Sequence, residues 1–150
     1  MVEATRLAAL LYIVHNLVYA SSSYISGALG DRFSKRTLLA IGYFLAAIMS
    51  GVILTSPITV ISVAIVFLIA GIYVGMEEAL EDSFAAELLP AELHGTGLGS
   101  LAFINAIGDL VSSIAIGFLW QKIGLGAFYF PAILAIIGGL FVLRLPPRDS

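Results

Sequence analysis

Residues 37–76 read TLLAIGYFLAAIMSGVILT (37–55), SP (56–57) and ITVISVAIVFLIAGIYVGM (58–76), a stretch without one charged side chain. A bilayer's hydrocarbon core is about 30 Å thick and takes roughly 20 helical residues to cross, so each run is long enough. A barrel strand would alternate apolar and polar residues, whereas both runs are apolar all round. In lipid such a segment must satisfy its own backbone, and an α-helix does so. Ser56-Pro57 separates the runs with a tight turn signal, which makes the two helices antiparallel.

Outward from this pair, three more windows have the same character: 7–29, 95–120 and 125–143. The first is softened by His15, Asn16 and the run Ser21-Ser22-Ser23, the fourth span contains Asn105 and Asp109, and Lys122-Ile123-Gly124 joins the last two. The predicted fold is an all-α polytopic membrane bundle of five transmembrane helices, with residues 1–150 forming one transmembrane domain. Composition agrees: 60% of the 150 residues are hydrophobic, 11% are charged, and the mean hydropathy is +1.06. A soluble domain carries roughly a quarter charged residues, so the surface of this chain is built for lipid.

The third connection differs from the others. Glu77, Glu78, Glu81, Asp82, Glu87 and Glu92 precede the fourth span, while Leu80, Phe84, Leu88 and Leu89 recur at helical spacing. That spacing predicts a third helix continuing beyond the membrane until Leu89-Pro90, because the residue before proline disfavours helix. Glu77/Glu81 and Glu78/Asp82 stand at i,i+4, and magnesium or calcium favours such oxygens. Four carboxylates at a membrane exit read more simply as a solvated face. Glu78 and Glu81 are then expected to reach back to Arg32, Lys35 or Arg36 in a cytoplasmic charge network, with no metal.

Several function classes are excluded. The chain has no cysteine, which removes disulfides, thiolate metal sites, iron–sulfur clusters and thiol nucleophiles. A net charge of −3 with scattered cations argues against nucleic acid. The start, Met1-Val2-Glu3-Ala4-Thr5-Arg6, is not the basic region of a signal peptide. Neither a serine elbow nor a phosphate-cradling glycine motif is present, so no catalytic set and no cofactor are expected.

Sidedness follows from the few cations. Arg32, Lys35, Arg36, Arg144 and Arg148 fall on one side, against Arg6 and Lys122 on the other, which makes the first group and the C-terminus cytoplasmic. Five spans then strand the N-terminus outside, and the chain is expected to be a piece of something longer. The alternative is a genuine five-span protein that starts outside.

Polar residues inside the spans carry the functional candidates. Asp109 sits deep in the fourth span, where a carboxylate costs about 2.5–3.5 kcal/mol on insertion scales. Asn105 lies one turn earlier on the same face, so both are expected to point into the bundle as a translocation or proton-coupling pair, or as an interhelical polar clamp. His15 is a candidate proton relay, or a hydrogen-bonded packing residue. Gly71 and Gly75, and Gly95 and Gly99, have the GxxxG spacing of close helix contacts. Trp120, Tyr129 and Phe130 fit an interfacial aromatic belt.

The loop between the first two spans reads Gly27-Ala28-Leu29-Gly30-Asp31-Arg32-Phe33-Ser34-Lys35-Arg36. It resembles the signature loop of the major facilitator superfamily, G-x-L-x-D-[RK]-x-G-[RK]-[RK], matching at Gly27, Leu29, Asp31, Arg32, Lys35 and Arg36, with Ser34 in the place of glycine. Glu87-Leu88-Leu89-Pro90-Ala91-Glu92-Leu93-His94-Gly95-Thr96-Gly97-Leu98-Gly99 is similar to the stretch before the eleventh helix of many members, with Glu87 and His94 replacing Asp and Arg. The resemblance implies helices eight to twelve of a twelve-helix secondary transporter, moving a small solute by alternating access and drawing on an ion gradient. It implies a conformational latch for the loop, and as partners a missing N-terminal half, membrane lipid, an unknown solute and protons. The expected location is a prokaryotic plasma membrane, the cell inner membrane. The rival reading is a non-transporting membrane scaffold or assembly subunit. An intramembrane enzyme would need a nucleophile that the sequence does not indicate.

Overall fold

The computed structural model describes residues 2–145, which form five α-helices: α1 (Val2–Gly30), α2 (Lys35–Thr55), α3 (Val60–Leu88), α4 (His94–Ile123) and α5 (Tyr129–Arg144). Each predicted span falls on one of them. Three helical stretches, Lys35–Thr55, Val60–Leu88 and Ala91–Arg144, are long and apolar enough to cross a membrane. The polar residues that soften α1 keep it from the same hydropathy. The result is an all-α membrane bundle. Arg148, counted above among the cytoplasmic cations, lies outside the described residues.

Local chemistry sets the helix ends. Ser34 caps α2, its hydroxyl accepting from the Thr37 amide at 3.4 Å, so the residue standing where the signature has glycine begins a helix. Thr59 and Ser62 form a reciprocal capping box at α3. As the apolar spacing predicts, α3 runs to Leu88 and stops before Pro90. A 3₁₀ turn, Ala91–Leu93, leads into α4. His94 folds back so that its Nε2 donates to the Leu89 carbonyl at 3.1 Å, satisfying an acceptor at the end of α3. The fifth helix starts later than expected. Gly124, at φ 55°, opens a 3₁₀ segment to Phe128, and Pro131 then sits in the first turn of α5, where its missing amide costs nothing.

The helices pack unevenly. Along most of its length α1 lies against α3, α2 packs on both α3 and α5, and α4 touches α3 over a short stretch only. The contact of α1 with α3 depends on glycine: a Cβ added at Gly71 would lie 2.8 Å from the His15 carbonyl oxygen, and one at Gly75 would lie 2.5 Å from that of Tyr19. The other GxxxG pair behaves differently, because Gly95 and Gly99 have nothing within 4 Å of such a Cβ. A small core of Leu39, Ala40, Leu80, Phe84 and Val142 ties α2, α3 and α5 together at one end. Leu80 and Phe84, read from the sequence as a stripe beyond the membrane, are part of it.

Candidate functional site

The end of the bundle that holds this core also carries the signature loop. Lys35 Nζ donates to Glu87 Oε1 at 2.6 Å, joining the start of α2 to the end of α3. Arg36 Nη1 donates to the carbonyl of Leu145, the residue that closes α5. Two basic residues of the loop therefore brace helices of this same chain. Asp31 and Arg32 are exposed and do not pair with each other.

The acidic residues of the third connection correct one expectation. Glu78 and Glu81 do not meet the loop's cations. The Tyr19 hydroxyl of α1 donates to Glu78, and Asn105 Nδ2 of α4 donates to Glu81 Oε2 at 3.1 Å. The carboxylate face keeps Glu78 and Asp82 exposed, as a solvated face would, while its hydrogen bonds go to α1 and α4 rather than to the loop. Asn105 and Asp109 look across at Glu81 and Glu77 through a cavity of about 580 Å³, with Tyr43 and Tyr73 in its wall. Both α4 residues remain exposed, since α4 has so few neighbours.

This meeting has a signal that sequence reasoning missed. An antiparallel hairpin places residues equidistant from its tip opposite one another. Glu81 and Asn105 are each twelve residues from Leu93, Glu77 and Asp109 are each sixteen, and Leu93 closes the turn between the helices. Tyr43 and Tyr73 had no such signal, being aromatic residues in apolar runs.

His15 is elsewhere. Its Nδ1 donates to the Phe67 carbonyl at 3.1 Å, and its ring meets the Phe67 ring edge-on at a centroid distance of 6.0 Å. It is held in the α1–α3 contact and does not line the cavity. At the opposite end of α4, Trp120 packs edge-on against Phe128, and Lys122 lies over the Phe118 ring at 4.5 Å.

A signature-type loop bracing one end of a helical bundle and a polar cavity between two of its helices accord with the sequence relationships. The profile of the Major Facilitator Superfamily matches residues 4–150. The chain belongs to the major facilitator superfamily. Relatives in this superfamily include an uncharacterized MFS-type transporter of Methanocaldococcus jannaschii, 29% identical over 133 residues, which covers 89% of this chain and 33% of that protein. The glycerol-3-phosphate transporter of Bacillus subtilis is 30% identical over 144 residues, covering 90% and 31%. Plastidic glucose transporter 4 of Arabidopsis thaliana is 29% identical over 150 residues, covering 90% and 26%. The chain thus spans about a third or less of these relatives, which are transporters by name and not enzymes. No solved structure matches it.

Proposed function

We propose that this chain is the C-terminal part, helices eight to twelve, of a major facilitator transporter that moves a small solute by alternating access, coupled to an ion gradient. Its five helices each cross the membrane, with the signature loop and the C-terminus in the cytoplasm. An N-terminal half, upstream or on a separate subunit, completes the central route. One observation carries the reading: the cavity between α3 and α4, where polar side chains of two long apolar helices face each other. Asn105 and Asp109 line the route, and Asp109 is the coupling candidate. A scaffold with no route would have little use for an open polar cavity inside apolar helices.

The absence of cysteine supplies the test. Single cysteines at Asn105, Gly108 and Asp109, on the cavity side, are expected to react with a membrane-impermeant thiol reagent, and cysteines at Phe103, Ile107 and Leu110 are expected to stay shielded by lipid. Equal labelling around the helix would refute a route along α4. In flux measurements on proteoliposomes holding the chain with its complementary half, Asp109→Asn is expected to abolish the pH dependence of transport. A dependence left unchanged would remove Asp109 from coupling.

A further inference from the structure

A second cavity, of about 260 Å³, lies between the loop residues Phe33 to Arg36 and Phe84 and Glu87 of α3, and shares no residue with the cavity between α3 and α4. Its charges do not cancel. Lys35, 12% exposed, is matched by Glu87 at 2.6 Å. Arg36 has no carboxylate in salt-bridge reach among the described residues, and its Nη1 donates to the neutral carbonyl of Leu145. Its Nε is closed off from solvent and meets no acceptor among the described residues. Buried donors are almost always bonded, so a guanidinium with an orphaned N–H and an unmatched charge lacks a partner. Asp31 and Arg32, the loop's other charges, are opposite in sign, exposed and outside the cavity wall. We propose that this cavity binds a phosphate group, with Arg36 supplying the charge and Ser34 a hydroxyl donor.

The chemistry of the wall selects this class. Nη1 is the nitrogen spent on Leu145, which leaves the Nε–Nη2 edge of Arg36 to take two oxygens in a fork once the side chain leans into the cavity that it lines. Ser34 Oγ accepts from the Thr37 amide and keeps its own proton to donate. Glycine, the signature residue at this place, would bring no donor, so the departure from the signature is what equips the pocket. A cation would meet Arg36 and find the one carboxylate of the wall already paired. The volume is below the roughly 300–1,000 Å³ of sites for drug-sized ligands and suits a single phosphate group. That group has two sources, a lipid headgroup or phosphate in solution. Phe33, 63% exposed at the rim, offers apolar surface to the glycerol and chains of a lipid.

Equilibrium binding of radiolabelled inorganic phosphate to the purified full chain in a neutral detergent tests this, at an ionic strength of about 0.15 M to screen diffuse attraction. Saturable binding of one phosphate per chain is expected, with slower amide exchange at Ser34 to Thr37 when phosphate is bound. Arg36→Met is expected to weaken binding tenfold or more, as loss of a close charge partner does. Two milder variants guard against misfolding. Arg36→Lys keeps the charge without the fork, and Ser34→Gly removes the hydroxyl at little cost to the helix cap; each is expected to weaken binding several-fold. Arg144→Met, at the end of α5 and outside the cavity, is expected to leave it unchanged. Displacement separates the sources: dioctanoyl phosphatidate acting at a tenth or less of the concentration of glycerol 3-phosphate identifies a lipid headgroup, and equal potency identifies phosphate from solution. Absent or unsaturable binding, insensitivity to the Arg36 and Ser34 variants, or an equal loss in Arg144→Met would overturn the proposal.

Discussion

Gly75→Ala is the substitution with the clearest structural consequence. The added methyl would sit 2.5 Å from the Tyr19 carbonyl oxygen and 2.9 Å from the Ser23 amide, both backbone atoms that no rotamer change can move. Reaching 3.4 Å, where ordinary contact begins, requires α1 to retreat by about 0.9 Å. The same retreat would lengthen the bond from His15 to the Phe67 carbonyl from 3.1 Å to about 4 Å, beyond hydrogen bonding, and would strain the Tyr19–Glu78 bond. Overpacking costs about 1–3 kcal/mol, and each interhelical bond contributes about 0.6 kcal/mol in membranes. The helical preference of alanine over glycine returns about 0.5–1 kcal/mol. The net loss is about 1–4 kcal/mol, and at its midpoint of about 2.5 kcal/mol the unfolding equilibrium shifts roughly 70-fold. Reversible unfolding in mixed micelles, followed by helicity and by the fluorescence of Trp120, measures it. Gly99→Ala is the internal reference: nothing lies within 4 Å of its Cβ, so that variant is expected to be neutral or slightly more stable. Equal midpoints for the two variants would refute the claim that Gly75 sets the spacing of α1 and α3.

Three further outcomes follow from the bonds described. Lys35→Met and Glu87→Gln are each expected to cost about 1 kcal/mol, a modest figure because Glu87 is 36% exposed, and a double-mutant cycle is expected to find most of that loss shared. Arg36→Met removes the donor at the end of α5, so amide exchange at Val142 to Leu145 is expected to quicken about tenfold while α1 is unaffected. His15→Phe keeps the ring contacts and loses the bond to Phe67, with an expected cost of about 0.6 kcal/mol; an altered pH profile of flux in this variant would contradict a packing role.

Helix positions were legible because a membrane imposes a single strong rule on length and polarity. The windows 37–55 and 58–76 gave α2 and α3 to within a few residues at their starts, and the Leu80, Phe84, Leu88 stripe foretold the long end of α3. The late start of α5 was harder to see, since hydropathy does not report a glycine at positive φ or a proline in a first turn. Partnerships were the least legible. Lys35 chose Glu87 over Glu78 or Glu81, because a choice among acids spread over about two and a half turns of one helix depends on helix rotation and axial offset, which composition does not encode. Asp109 stood out by its cost in lipid, but the acids facing it are on another helix and emerge only when both are counted from the turn at Leu93.

That symmetric count turns the length of a surface connection into a phase. Each helical residue advances the chain by about 100°, so one residue inserted in the first turn of α4 would swing Asn105 and Asp109 away from α3. Four inserted residues, close to a full turn, would bring the face back while sliding it along the axis, setting the inserted helix's amide opposite a different rung of the acidic ladder. Where other exposed loops of a membrane protein absorb insertions freely, the segment from Pro90 to His94 works as a spacer whose residue number is read by the electrostatics of the cavity sixteen positions away.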